Sequence, residues 1–120
     1  MTKVEYDLEQ RTTKFSEDVI VFLRTLKKDV ITIPLINQLV KSATSIGANY
    51  FEANGAASKK DFKNKICICK KESRETKYWL QLIAKSNPDK KEDCRIFWQE
   101  AQELTLIFSK IIITIEKDRH

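Results

Sequence analysis

Two glycines and two prolines in 120 residues are too few turn-formers for the many tight reversals of an all-β chain. Their scarcity leaves long helices joined by brief turns, which suits a composition of 42% hydrophobic and 32% charged residues. Histidine is almost missing: the single one, His120, is terminal, which excludes the inward Glu-x-x-His pairs of a di-iron bundle. Cysteine is scarce and odd in number. Cys67 and Cys69 point about 200° apart on a helix and cannot share one zinc without unwinding it, so neither a metal nor a disulfide is expected. Long apolar runs are lacking as well. Ile111 to Ile113 is far too short to cross a bilayer, and the opening MTKVEYDLEQRTTKF holds no signal-peptide core, so the expectation is a soluble cytoplasmic protein without a membrane partner. No Gly-rich phosphate loop, nucleophile elbow or zinc pattern occurs, and the chain reads as a non-enzyme with no cofactor and no small-molecule substrate.

Four amphipathic stretches are present, and they predict one domain over residues 1–120. Asp7, with Gln10 closing a capping box, opens a first helix running to about Lys28, with Leu8, Phe15, Val19, Phe22 and Leu26 inward. Thr32 caps a second, with Pro34 in its first turn and an end near Asn54 and Gly55. Its inner stripe is Leu35, Leu39, Ala43, Ile46, Tyr50 and Ala53, broadened by Ile36, Val40, Gly47 and Phe51. Ser58 with Asp61 starts a third helix that buries Phe62, Ile66, Cys69, Ser73, Thr76, Leu80 and Ile83 and ends before Asn87-Pro88. Asp89, three residues before Glu92, caps a fourth that reaches about Lys117, while Asp118, Arg119 and His120 fray. Its buried face holds Cys94, Phe97, Ala101, Leu104, Phe108, Ile111, Ile112 and Ile115. Short connections between long helices make neighbours antiparallel, so the fold class is all-α, an up-down-up-down antiparallel four-helix bundle.

Charge is distributed unevenly. Ser58 to Lys77 carries seven lysines and one arginine against Asp61, Glu72 and Glu75, a surplus equal to the whole chain's formal +5. On an ideal helix with Lys59 at zero, Lys63, Lys70, Arg74 and Lys77 fall between about 0° and about 60°, forming one cationic strip about 27 Å long. Such a strip can meet successive phosphates of RNA or another nucleic acid. The plainer reading is a solvated helix face with Glu72 and Glu75 relieving the repulsion. Tyr78 is placed to stack on an unpaired base, whereas Trp79, about 200° round, reads as packing.

Ser42, Ser45, Asn49, Glu72, Ser73 and Thr76 border the inner faces of the second and third helices. Together they are expected to form a buried hydrogen-bonded network that fixes helix register rather than an acid-base site. In the fourth helix, Ile96, Trp98, Leu106 and Ile113 lie off the inner stripe, more apolar surface than one bundle needs, and a homo-oligomer would cover it.

The run Leu39 to Asn54, LVKSATSIGANYFEAN, has Ser45, Ile46, Ala48 and Asn49 in register within Ser42 to Asn49. Together with Ser-Lys-Lys-Asp-Phe at Ser58 to Phe62, and Lys71-Glu72 through Tyr78-Trp79-Leu80, it resembles the small bacterial four-helix-bundle proteins associated with intervening sequences in large-subunit ribosomal RNA genes. The resemblance spans roughly Asp7 to Lys117. Gly47 stands where many relatives carry proline, so a kink there is not carried over. The resemblance implies a homopentamer with a central channel. It also implies kinship with the basic accessory bundles of diversity-generating retroelements, which associate with a reverse transcriptase and nucleic acid.

Two readings follow. In one, Lys59, Lys63, Lys70, Arg74 and Lys77 dock a nucleic-acid backbone with little sequence preference. In the other, the oligomer is a scaffold whose basic strip meets an acidic protein.

Overall fold

The computed structural model describes the backbone of residues 2–118 and the side chains of residues 8–118. Four helices follow one another: α1 (Thr2–Arg24), α2 (Thr32–Asn54), α3 (Lys59–Ser86) and α4 (Lys91–Lys117), the last preceded by a 3-10 turn at Pro88–Lys90. α1 packs on α2, α2 on α3 and α3 on α4, and α1 closes the ring against α4 through the slightest of the four seams. The architecture is the expected up-down-up-down four-helix bundle, with extents of 51 × 21 × 21 Å. Among the described residues, no helix is long and apolar enough to cross a membrane.

The helix ends are set by local chemistry, in part through residues other than those expected. Ser58 starts α3 as anticipated: its extended backbone lets the side chain accept from the Asp61 N–H at 3.1 Å. At α2, Thr32 is already inside the helix and buried. Asp29 replaces it as the cap, its Oδ1 accepting from the N–H groups of Thr32 at 2.8 Å and Ile31 at 3.1 Å, and the Thr32 bond is the main reason its carboxyl lies below the ordinary pKa.

α1 runs through Asp7 instead of starting after it and stops at Arg24 rather than near Lys28. There the Thr25 and Leu26 N–H groups turn to the carbonyls of Phe22 and Leu23. The Asp7 cap lies outside the described side chains, and Arg119 and His120 lie outside the described residues. Asp89 does not cap α4. Asn87 and Pro88 set a tight turn, closed by the Lys90 N–H on the Asn87 carbonyl at 2.8 Å, and α4 begins after it without a side-chain cap.

The inner stripes meet as their spacing requires. Val19, Leu39, Ile46, Ile66, Leu80, Leu104 and Phe108 form the centre, with Tyr50 and Phe108 in ring contact at 6.1 Å. α2 passes through Gly47 without interruption, and α1 approaches it closely enough that a Cβ there would touch Thr12 at 3.4 Å. The α1–α4 seam is held by Phe15 and Phe22 against Phe97 and by Arg11, which forks onto Glu100 at 2.6 and 2.8 Å and reaches Glu103 at 2.7 Å.

Candidate nucleic-acid interface

Burial of Ile66, Cys69, Ser73, Thr76, Leu80 and Ile83 fixes how α3 is rotated. The stripe left facing solvent steps by four and three residues through Lys60, Asn64, Cys67, Lys71, Arg74, Tyr78, Gln81 and Lys85, every one exposed. Of the five cations singled out from the sequence, only Arg74 stands on this stripe. Lys59, Lys63, Lys70 and Lys77 lie well to one side of the direction opposite the buried residues, on the shoulder of α3 turned toward α4.

Position on that shoulder decides which charges are free. Lys63 is paired with Glu116 at 2.9 Å, its side chain only 25% exposed. Lys77 donates to Gln102 Oε1, with its ammonium 5.2 Å from the centre of the Trp98 ring. Lys59 and Arg74 are exposed and Lys70 half-exposed. Lys71, which the strip omitted, is exposed on the crest. Measuring rotation from the centre of the apolar residues, instead of from Lys59, would have found it.

Lys70, Lys71, Arg74 and Lys77 converge on an open groove of about 500 Å³ between α3 and α4, walled by Tyr78, Gln81 and Trp98. Among the described residues, Lys70, Lys71 and Arg74 make no ion pair. The acid in the groove, Glu75, accepts a hydrogen bond from the Trp79 indole at 3.2 Å. Tyr78 is 55% exposed, its ring held edge-to-face against Trp79 with centres 5.0 Å apart. Trp79 itself is half-buried against the core, as its place on the wheel indicated. A second hollow, of about 540 Å³, lies at the start of α3 between Lys59, Lys60, Lys63 and the end of α4 at Ile115 and Asp118.

The expected polar network is smaller than its six members. Ser42, Ser73 and Thr76 are buried, and one bond crosses between helices, from the Thr76 hydroxyl to Ser42 Oγ at 3.0 Å. Ser73 turns back to the Cys69 carbonyl and Ser45 to that of Lys41, while the Asn49 amide donates to the Ser45 carbonyl, each within its own helix. Glu72 joins none of them. It sits half-buried on the shoulder facing α2, its pKa raised by burial and then by Glu75, against the weaker pull of Lys71 and Lys41.

Cys69 and Cys94 are buried, and burial pushes their thiols up to about 12 and about 11, so both stay protonated; Cys67 is exposed. Among the described residues, no group of three His, Cys, Asp or Glu side chains is arranged to hold a metal. On α4, Ile96, Leu106 and Ile113 are exposed, whereas Trp98 is drawn partly into the bundle beneath Lys77.

A search of curated proteins finds no match. Among solved structures, the chain is similar to a protein with unknown function from the S23 ribosomal protein family of Bacteroides thetaiotaomicron. The two share 30% identity and superpose with a TM-score of 0.77, over 87% of this chain and 96% of that one. The sequence profile of the 23S rRNA-intervening sequence proteins matches residues 5–112, nearly the whole bundle, and the chain therefore belongs to that family.

Proposed function

We propose that the protein is a non-enzymatic, oligomeric four-helix bundle that binds RNA through its phosphate backbone at the basic side of α3. Five copies is the number that the family resemblance implies. The observation that carries this reading is the convergence of Lys70, Lys71 and Arg74, free of ion pairs among the described residues, with Lys77 on one open groove. The family's ribosomal-RNA name favours RNA over DNA. Lys59 and Lys60 extend the positive surface about 16 Å further along the helix, while Lys63, already neutralised by Glu116, contributes less than its position on the strip implies.

Cations that displace condensed counterions give a binding constant that falls with salt. The test is fluorescence anisotropy with a labelled RNA, titrated across roughly 50 to 200 mM salt. The combined variant Lys70→Gln, Lys71→Gln, Arg74→Gln is expected to bind weakly and to flatten the logarithmic salt slope by about 0.7 per cation for a single strand. An unchanged slope in that variant would overturn the assignment of this face. A protein partner captured after nuclease digestion, with no RNA bound, would favour the scaffold instead.

A further inference from the structure

Resting on the nucleic-acid reading above, we infer that the strand held here is unpaired. One base stacks on Tyr78, and the backbone follows the outer side of α3 from Lys70 and Lys71 to Lys85, ending at Lys91 at the start of α4. Tyr78 follows Lys71 and Arg74 on the same outward stripe, one helical turn beyond the arginine. The residue is 55% exposed although it borders the groove, so burial does not explain its place, and the edge-to-face contact of its ring with Trp79 fixes it without enclosing it. The Trp98 ring is engaged by the Lys77 ammonium, which leaves Tyr78 as the open aromatic platform.

An aromatic platform distinguishes strand types. In a duplex, bases cover one another's faces and present only their edges to a groove, whereas an unpaired base offers its whole face to a ring. The polar groups around Tyr78 are also laid out for a single backbone. Lys70, Lys71 and Arg74 lie within about 6 Å of helix axis, and Gln81, next on the crest, carries both a donor and an acceptor for a base edge.

Gln81 also lines the adjoining hollow, of about 500 Å³, that Lys85 and Lys91 share with Pro88. Gln81 is thus a wall common to both hollows. Cations, aromatic, amide and cations again succeed one another over about 22 Å along one narrow ribbon. An A-form RNA duplex, by contrast, presents its 2′-hydroxyls and backbone across a wide, shallow minor groove and offers no open base face.

The test compares a labelled twelve-nucleotide oligo(A) RNA with a twelve-base-pair RNA duplex, using the full chain. Wild type is expected to prefer the single strand. Tyr78→Ala should weaken oligo(A) binding about tenfold while leaving the duplex unchanged, and Tyr78→Phe should retain the wild-type affinity. The pair Lys85→Gln and Lys91→Gln should flatten the salt slope for oligo(A) by about 1.4 in total. Tyr78 is exposed, so circular dichroism should show the same helix content in every variant. If Tyr78→Ala leaves oligo(A) affinity intact while Arg74→Gln lowers it, stacking is refuted and the basic face survives. If neither RNA binds wild type, both readings fail together.

Discussion

Glu72 lies on the side of α3 turned toward α2, where partial burial, and secondarily Glu75, raise its pKa. A carboxyl with a folded pKa above its unfolded one binds its proton more tightly in the native state. Ionised, it therefore opposes folding. The penalty is absent below the unfolded value of about 4.3, grows as pH rises through the folded pKa, and is complete above it. Glu72→Gln is accordingly expected to raise the urea midpoint at pH 7 by a margin that closes toward pH 4. A constant offset across that range would show that the charge is not what matters. The carboxylate was legible in the sequence as one within the inner sector of α3. Its missing partner was not, because Ser42, Thr76 and Ser73 satisfy one another or their own backbone, leaving the acid outside. The same limit governs the cations. Lys63 and Lys77 look like Lys70 in sequence, and only Glu116 and Gln102, distant along the chain, decide that they are engaged.

At the scale of helices, apolar spacing was nearly sufficient, because three-and-four periodicity sustained along a whole helix has one rotational solution. The ends were less legible, since several nearby side chains can satisfy free amides equally well: Asp29 displaced Thr32, and the Asn87-Pro88 turn displaced Asp89. Gly47 shows what spacing cannot convey. Periodicity places it in a widening of the apolar sector, but its position is against the α1 backbone, with the Thr12 carbonyl carbon and oxygen each 3.4 Å from a would-be Cβ. That separation is ordinary van der Waals contact, so alanine fits and removes the conformational freedom that glycine gives the unfolded chain. Gly47→Ala should therefore raise stability by about 0.5 to 1 kcal/mol in chemical denaturation. Gly47→Leu should lower it by about 1 to 3 kcal/mol, because the branched side chain must push α1 off α2. If both substitutions stabilise, the close approach of the two helices is not a constraint.

The whole molecule separates two kinds of surface: cations along α3, and an apolar surplus elsewhere. Leu106 and Ile113, 58% and 53% exposed, stand two helical turns apart on one outer stripe of α4, and Val21, Val30 and Ile31 are exposed around the α1–α2 turn. Single exposed apolar residues are ordinary, but several large ones on a 14.0 kDa chain are costly to leave in water, and copies of the same chain offer a ready cover. One sequence carries the exposed patch but not the geometry of its partner, which is why the number of copies rests on family resemblance alone. Assembly would also change how the basic groove works: each copy adds another, and tethered sites bind a long RNA far more tightly than one site does. Leu106→Glu with Ile113→Glu places two carboxylates on the outer face of α4 without touching the core or the groove. In sedimentation equilibrium, wild type is expected at a multiple of 14.0 kDa and the double variant at 14.0 kDa. The monomer should keep its affinity for a twelve-nucleotide RNA, which spans one groove, and lose about a hundredfold or more for an RNA long enough to reach several. A wild type that sediments as a monomer would remove the oligomer. Equal loss for short and long RNA would instead show that α4 touches the nucleic acid directly.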